Sequence, residues 1–363
     1  MTDAPSGGDT LPPDEPSPTP RPVGRLTRRG RIFFGVLAFF LVVGLVAGVW
    51  VLKQVNPSGG PGEKVAVDIA PGTSVAAVAT KLEDKGVITS ADIFRLYLKV
   101  RGGAGAIQAG EYELRQNLSM GEAKGALRRG PSIRFQKLTV PEGLTLEKIA
   151  DRVGELPGRS RDRFLSAAKS GTVKSKYQPP GSTNLEGLLF PDTYLVTDKE
   201  DEAGIVRRLV NRFDQVADEV GLDSATRPNG LSAYQVIVAA SLVESEAKVK
   251  DDRPLIASVI SNRLTEGMKL QIDATVLYAI GHKEKVLYSD LEVDSPYNTY
   301  KINGLPPTPI SAAGKASLEA MLDPAKTTYL YYVLSDKNGK HAFATTSSEF
   351  EALKAEARRK GLI

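Results

Sequence analysis

A glutamate lies among apolar residues in a segment, residues 232–267, whose pattern predicts two helices separated by a charged turn and a proline. Glu244 follows Ile237, Ala240 and Ser241 by seven, four and three residues, so its carboxylate shares their helical face. Desolvation at such a position favours the protonated carboxyl group that a general acid needs near neutral pH. The pattern makes Glu244 a candidate catalytic acid. The alternative is a structural glutamate at the edge of the apolar stripe, whose carboxylate extends into solvent or caps a neighbouring element.

Further polar and aromatic side chains follow Glu244 along the chain. They are Asn262, Arg263, Gln271, Asp273, Tyr297, Asn298 and Tyr300. Aromatic rings stack on the apolar faces of sugars, and amides form hydrogen bonds with sugar hydroxyls. One concave site holding these groups suits a sugar ligand. The same inventory suits a buried polar network that holds loops in place, so both interpretations stay open at this point.

Composition excludes several kinds of site. The 363-residue chain has no cysteine and two histidines, His282 and His341, which excludes disulfides, thiolate metal sites and a histidine-rich metalloprotease motif. The sequence also lacks nucleotide-binding glycine loops, a serine nucleophile elbow and a calcium-binding loop. We expect no metal and no cofactor. The net charge is only +4, and its basic cluster lies next to an apolar run, so we expect no nucleic-acid partner.

The N-terminal segment predicts a membrane anchor. Residues 1–31 are expected to form a disordered cytoplasmic tail, because residues 1–22 are rich in proline, glycine and small polar residues. Residues 32–52 contain no charge and are long enough, as a helix, to span a hydrocarbon core of about 30 Å. Arginines before this run predict a cytoplasmic N-terminus, and no small-residue cleavage site follows it. We expect a single-pass protein of the cytoplasmic membrane, with everything after Lys53 outside the cytoplasm and a linker at residues 53–64.

Two strand–turn–helix units follow the linker. Residues 67–82 overlay on residues 138–153, and the overlay matches Gly72 with Gly143. Each copy is predicted to form a strand, a turn and a helix capped by a hydroxyl residue. This order resembles the opening of LysM carbohydrate-binding modules, so residues 65–155 are predicted to form a LysM-like α/β module. A spacer fold without a ligand is the alternative.

The remaining residues, 156–363, predict a mixed α+β domain. Helical patterns dominate it, and Asn338 and Gly339 mark a β-hairpin between residues 329–334 and 341–345. A C-terminal helix closes the chain. The fold class is therefore α+β, with a single N-terminal transmembrane helix, a LysM-like α/β module and a mixed α+β catalytic domain.

Seven sequence blocks resemble the endolytic murein transglycosylases, the YceG-like family, and occur in the family's order. They are LEGLLFPDTY at 185–194, ASLVESE at 240–246, ASVISNRL at 257–264, LQIDATV at 270–276, YNTY at 297–300, GLPP at 304–307 and DPA at 323–325. The resemblance implies a LysM-like part, a catalytic domain and a catalytic glutamate at Glu244. The chain has Ser245 and Ala247 where the family usually has a basic residue and threonine, which leaves the role of Glu246 open.

The resemblance also implies the reaction and the partners. A lytic transglycosylase cleaves the β-1,4 bond between N-acetylmuramic acid and N-acetylglucosamine in nascent peptidoglycan, and the sugar's own C6 hydroxyl attacks to leave a 1,6-anhydro end. Glu244 would act first as general acid and then as general base. Peptidoglycan glycan strands are the expected substrate, and peptidoglycan synthases, the penicillin-binding proteins, are the expected protein partners.

Roles for the other polar residues follow from this hypothesis. The residues expected to bind substrate are Asn262, Gln271, Tyr297, Asn298 and Tyr300. The residues expected to be structural, or to support the site without contacting substrate, are Glu186, Asp192, Glu246, Arg263 and Asp273. Two other functions stay open: a non-catalytic scaffold that binds the cell wall through LysM-like repeats, and a muramidase in which water replaces the C6 hydroxyl.

Overall fold

The computed structural model describes residues 28–223, 226–281 and 286–363. The tail expected to be disordered lies outside the described residues as far as residue 27, and His282 lies outside them too. Within the described part, the chain is a mixed α+β protein with one long apolar helix at its N-terminal end, which confirms the α+β class. The LysM-like character of the residues after that helix stays a prediction.

The first part of the chain alternates strands and helices. Its elements are α1 (Arg28–Val55), β1 (Lys64–Ile69), α2 (Val75–Asp84), α3 (Ala91–Val100), β2 (Gly110–Arg115), α4 (Met120–Arg129), β3 (Ile133–Thr139), α5 (Leu146–Gly154), α6 (Arg161–Lys169), β4 (Thr193–Thr197) and α7 (Glu202–Glu219). Helices dominate the rest: α8 (Ala233–Glu246), α9 (Arg253–Thr265), α10 (Asp273–Ala279), α11 (Lys315–Leu322), β5 (Tyr331–Leu334), β6 (His341–Ala344) and α12 (Ser347–Arg359).

Helix α1 contains the apolar run of residues 32–52 and extends beyond it at both ends. Its segment Arg31–Val55 is long and apolar enough to cross a membrane, and it is the one such helix among the described residues. The large apolar side chains of this run are exposed, which is compatible with a membrane-spanning helix. At its C-terminal end, Val55 packs against the folded part of the chain.

A four-stranded antiparallel sheet joins two hydrophobic cores. The strand order is β1-β2-β3-β4, with Lys64 opposite Arg115 in the first pair and Phe135 opposite Thr197 in the last. One core takes its buried residues from positions 67–127, and the second starts at Leu138 on β3 and includes the helices that follow. The domain boundary at residue 155 stays a prediction.

The two strand–turn–helix units overlaid in the sequence adopt the same local structure. The first is β1 followed by α2, and the second is β3 followed by α5. Ser74 and Thr145 cap the two helices by accepting a hydrogen bond from the backbone three residues on. The matched Gly72 and Gly143 have φ angles of 81° and 76°, a left-handed conformation in which glycine meets no steric penalty.

Helix α8 lies at the centre of the second core. Ser232 and Gln235 form a reciprocal capping box at its start. Every residue from position 236 to position 243 is buried, with α9 and α11 packed against the helix. Burial on all sides differs from the single apolar stripe expected from the sequence. Helical periodicity alone therefore does not decide which of the two glutamates near its end, Glu244 or Glu246, is the better catalytic candidate. The predicted pair of helices in residues 232–267 is confirmed by α8 and α9.

The predicted hairpin is confirmed by β5 and β6, in which Tyr332 lies opposite Phe343. Helix α12 covers the hairpin, and the rings of Tyr331 and Phe350 stack with centroids 5.0 Å apart. His341 fastens the hairpin to the start of α9, because its Nδ1 lies 3.0 Å from Oδ2 of Asp252. These contacts bring Tyr332 to the C-terminal end of α8, where the polar residues described next converge.

Candidate active site

A cavity of about 400 Å³ lies at the C-terminal end of α8, a volume within the range of about 300–1,000 Å³ typical of small-molecule sites. Its wall comes from α8, α9, α10, β5, α12 and two loops. The lining residues are Glu246, Arg263, Leu270, Gln271, Asp273, Tyr300, Tyr332, Phe350 and Lys354. Carboxylates, an amide and aromatic rings therefore face one concave space, as the sequence predicted for a sugar site, although the membership differs.

Glu246 is the titratable group at the inner end of this cavity. Its Oε2 accepts a hydrogen bond of 3.1 Å from the hydroxyl of Tyr332. Burial raises the pKa of Glu246 to about 7, and the nearby negative charge of Asp273 acts in the same direction. The hydrogen bond from Tyr332 and the charge of Lys248 lower this pKa but do not offset the burial. Near neutral pH the carboxyl group is therefore available in both its protonated and its ionised form.

Gln271, Asp273 and Tyr300 occupy the rim of the same cavity. The hydroxyl of Tyr300 donates a hydrogen bond of 2.6 Å to Oδ1 of Asp273. Gln271 has a φ of 50°, an unusual conformation for a residue with a side chain, and its N–H donates to the carbonyl of Thr299 at 3.1 Å. Left-handed backbone at non-glycine residues is enriched at ligand-binding sites. Two of the residues expected to bind substrate, Gln271 and Tyr300, thus lie beside Glu246.

Arg263 supports the cavity wall from inside. The side chain is buried, and it donates to the carbonyl of Leu330 at 2.6 Å and to that of Leu270 at 2.7 Å. Its guanidinium carbon lies 5.3 Å from the ring centroid of Tyr331. Arg263 therefore ties β5 to the loop that carries Gln271, a structural role like the one expected from the sequence.

Glu244 has a different environment from Glu246. Its carboxylate accepts hydrogen bonds from the Gly314 N–H at 3.0 Å and from Oγ of Ser317 at 2.8 Å. It also pairs with Arg253 at 3.3 Å, and the Glu244 side chain is only 6% exposed. The carboxylate thus caps the start of α11 and holds it against α8 and α9. These contacts occupy both carboxylate oxygens.

A second carboxylate, which the sequence analysis missed, shares the same arginine. Oε2 of Glu142 lies 3.6 Å from Nη2 of Arg253. Burial and the neighbouring charge of Glu244 raise the pKa of Glu142. The turn after β3 is thereby linked to α8 and α9 through one guanidinium. The turn residues gave no signal of this contact, because the partner lies more than one hundred positions further along the chain.

The two asparagines expected to bind substrate use their amides within the protein. Asn262 donates to the carbonyls of Thr327 and Tyr329, both at 2.9 Å. Asn298 is 0% exposed, and its amide donates to two loop carbonyls at 2.8 Å. Side chains engaged in this way hold loops, which is the alternative that the sequence left open for them.

Tyr297 and Glu186 lie in another cluster, around Tyr278. The ring centroids of Tyr297 and Tyr278 are 4.8 Å apart, and the Tyr278 hydroxyl donates to Glu186 at 3.2 Å. Glu186 also accepts a hydrogen bond of 2.9 Å from the N–H of Leu146 at the start of α5. Burial raises the pKa of Glu186 to about 7. A cavity of about 380 Å³ borders this cluster.

Asp192 lines a more open hollow of about 610 Å³ between β4 and α7. Its carboxylate lies 3.2 Å from Nε of Arg212, and the neighbouring Glu200 pairs with Arg208 at 3.0 Å. Because these charges compensate one another at the surface, we place the candidate chemistry in the smaller cavity beside Glu246.

The residues that the sequence analysis missed in the Glu246 cavity come from the C-terminal part of the chain. Tyr332 lies on β5, and Phe350 and Lys354 lie on α12. The strand and the helix were both predicted, but no local pattern says which α8 residue they cover. An acid with a pKa near neutrality, among amide, aromatic and carboxylate groups in a cavity, is typical of general acid–base enzymes that bind polar substrates.

Comparison with known proteins assigns the family. A model described as the YceG-like family matches residues 67–356. This match covers most of the chain, so the protein belongs to the YceG-like family, which confirms the resemblance found in the sequence.

Named relatives and a solved structure agree with this assignment. The endolytic murein transglycosylase of Bacillus subtilis strain 168 is 37% identical over 305 residues, which cover 80% of this chain and 84% of the relative. The protein of that name from Streptococcus pneumoniae strain D39 is 29% identical over 356 residues, or 89% of this chain and 64% of the relative. The 2.6 Å crystal structure of a YceG-like protein from Listeria monocytogenes matches with a TM-score of 0.55 and 37% identity, over 80% of this chain and 99% of that one.

Proposed function

We propose that this protein is an endolytic murein transglycosylase, a lyase that cleaves peptidoglycan glycan strands internally. Membership of the YceG-like family supports this function, as do the names of relatives that align over most of the chain. The proposed scissile bond is the β-1,4 bond between N-acetylmuramic acid and N-acetylglucosamine. The cavity beside Glu246 is the proposed active site.

We assign the general acid and base role to Glu246 and not to Glu244, the residue favoured by the sequence. The observation that carries this assignment is the placement of Glu246 in the cavity wall, with a pKa raised to about 7 by burial. Glu244 instead accepts three contacts from Arg253, Gly314 and Ser317 within the protein. A general acid needs a proton to give and access to the substrate, and the cavity lining and near-neutral pKa of Glu246 support this role.

The proposed reaction uses one carboxyl group twice. Protonated Glu246 donates its proton to the glycosidic oxygen, and the bond from that oxygen to the anomeric carbon breaks. The C6 hydroxyl of the same muramic acid then forms a new bond to the anomeric carbon, and the Glu246 carboxylate takes the hydroxyl proton. The products are a free hydroxyl on the leaving sugar and a 1,6-anhydro end, with no water consumed. The intramolecular attack benefits from the high effective molarity of a tethered nucleophile.

Other cavity residues would hold the sugar during these steps. The Gln271 amide and the Tyr300 hydroxyl would bind sugar hydroxyls, and Phe350 lines the same cavity with its ring stacked on Tyr331. The negative charge of Asp273 raises the pKa of Glu246 and would stabilise the positive charge that develops at the anomeric carbon.

Helix α1 would anchor the enzyme in the cytoplasmic membrane. The arginines at its start, Arg29 and Arg31 among them, favour a cytoplasmic N-terminus, and everything after Lys53 would then lie outside the cytoplasm. The active site would then act on glycan strands near the membrane, where peptidoglycan synthases are the proposed partners. The residues after the anchor, from 65 to 155, are proposed to form a LysM-like module.

One observation favours a second candidate function. Asp273 shares the cavity with Glu246, and ordinary glycosidases use two carboxyl groups, one of which activates water or attacks the sugar. A muramidase reaction is therefore the alternative chemistry.

The test is to incubate the detergent-purified full chain with uncrosslinked glycan and to determine the masses of the products by mass spectrometry. Anhydro ends are one water lighter than hydrolysed ends: anhydro products support the transglycosylase, hydrolysed ends support the muramidase, and binding without cleavage supports a wall-binding scaffold.

A further inference from the structure

Helix α3 exposes two large apolar side chains next to the membrane-spanning helix. Leu96 and Val100 are 59% and 75% exposed and lie one helical turn apart, on the face opposite the buried Phe94 and Leu98. Outside α1, the other exposed large apolar residues that the structure describes lie away from α3: Val75, Leu195, Ile363 and the adjacent Leu287 and Tyr288. Because exposed apolar pairs on a folded helix need an explanation, α3 is a candidate contact surface.

The position of α3 relative to α1 indicates what covers this surface. Helix α3 packs against α1, and the Thr89 hydroxyl, just before α3, donates a hydrogen bond of 2.8 Å to the carbonyl of Gln54. The uncharged run of α1 ends at residue 52, so Gln54 lies within one turn of the level at which hydrocarbon meets headgroups. Helix α3 has ten residues and spans about 15 Å, so its exposed pair lies at most about that far from the start of the helix.

The charges beside the apolar pair fit the same environment. Arg95, which pairs with Asp92, and Lys99 each precede one of the two apolar residues, and Arg101 follows the helix. Apolar residues flanked by basic side chains are typical of helices that lie in the membrane interface, since long basic side chains reach the headgroup phosphates while apolar ones enter the acyl boundary.

We propose that Leu96 and Val100 insert into the headgroup region of the bilayer that α1 spans, so that α3 forms a second membrane contact. This inference rests on the proposed anchoring by α1. With both α1 and α3 in contact with the bilayer, the extracytoplasmic part could not rotate freely about α1. Strand β3 pairs with β2 and also contributes Leu138 to the second core, so it connects the part that carries α3 with the part that holds Glu246. Contact of α3 with the membrane would therefore restrict the height of Glu246 above the membrane.

The chain has no cysteine, so single labels can be placed without background. The full chain carrying Val100→Cys would be labelled with an environment-sensitive nitrobenzoxadiazole dye and reconstituted into vesicles of phosphatidylglycerol and phosphatidylcholine. Insertion predicts a shift of the emission to shorter wavelength and loss of intensity when quencher-bearing lipids are included. Leu45→Cys in α1 reports the anchor itself, and Ala355→Cys, exposed on α12, reports a site expected in water.

The outcomes separate this inference from the anchor on which it rests. Quenching at Leu45→Cys and Val100→Cys but not at Ala355→Cys is the expected result, and adding Leu96→Glu should abolish the quenching at position 100. Quenching at position 45 alone would overturn the α3 contact and leave the anchor intact. Quenching at neither position would overturn both. A wavelength shift that disappears when each vesicle holds at most one protein would assign the surface to a second copy of the chain and also overturn the proposal.

Discussion

The hydroxyl of Tyr332 on β5 donates a hydrogen bond of 3.1 Å to the carboxylate of Glu246 at the end of α8. This contact joins two elements that lie far apart in the sequence, and it fixes the orientation of the group that we assign as acid and base. It also stabilises the ionised carboxylate and thereby holds the pKa of Glu246 below the value that burial alone would give.

Removing this hydroxyl should change the pH profile. In Tyr332→Phe the ionised form of Glu246 loses a donor, so the pKa of Glu246 rises further. Cleavage requires the protonated acid, so activity falls as pH rises through this pKa, and in the variant the fall should move to higher pH by about one unit. Rates of glycan cleavage from pH 5 to pH 9 measure it. Tyr329→Phe is the matched control on the same segment. An unmoved alkaline limb in Tyr332→Phe would separate Tyr332 from the catalytic acid.

The buried pair of Glu244 and Arg253 should contribute mainly to stability. Glu244→Ala leaves the guanidinium and two hydrogen-bond donors without their acceptor, and losing one partner of a buried pair costs about 3–5 kcal/mol. Glu142→Ala removes the half-exposed partner of the same arginine and should cost about 1 kcal/mol or less. Urea denaturation of both variants in detergent gives the comparison. Similar small losses in the two variants would contradict the structural role of Glu244.

Glu186 should make the protein less stable as pH rises. Burial raises its pKa from an ordinary 4.5 to about 7, so the folded state holds this proton more tightly than the unfolded state does. Between pH 4.5 and pH 7 the unfolded chain loses the proton first, and the free energy of unfolding falls by about 3 kcal/mol on account of this group. Above pH 7 the effect is constant.

The variant Glu186→Gln tests this statement, because glutamine keeps an acceptor for the Leu146 N–H but does not titrate. The free energy of unfolding should fall less between pH 5 and pH 8 in the variant than in the parent chain. Asp192→Asn, at an exposed ion pair, is the control and should follow the parent. Parallel pH dependences for the parent and Glu186→Gln would show that Glu186 titrates as an ordinary surface carboxylate.

Much of the secondary structure could be predicted from local signals. Apolar periodicity and a proline predicted α8 and α9, Asn338 and Gly339 predicted the hairpin, and an uncharged run predicted α1. These signals act over a few residues and do not depend on distant partners. They predicted the secondary structure correctly where interactions between residues close in sequence determine it.

The details of the site could not be predicted in the same way. The middle of α8, residues 236–243, is buried on all sides, so its apolar period did not show that Glu246 faces the cavity while Glu244 faces Arg253. Asn262 and Asn298 have amide side chains of the kind that bind sugars. In the structure these amides instead donate hydrogen bonds to backbone carbonyls of distant or irregular segments. Which donor meets which acceptor depends on tertiary packing. Residue type and spacing therefore indicated the polar and aromatic character of the region better than which side chains line the cavity.

The most direct measurement compares Glu246→Gln with Glu244→Gln in the formation of anhydro ends, each shown to be folded by its denaturation midpoint. Loss of a general acid typically costs about 10²–10⁴-fold in rate, so Glu246→Gln should lose at least about 100-fold. It should fold normally, because it removes a carboxyl group whose ionisation burial disfavours. Glu244→Gln should be less stable and retain its cleavage rate per folded molecule. A folded Glu244→Gln without activity, beside an active Glu246→Gln, would contradict the assignment and return the catalytic role to Glu244.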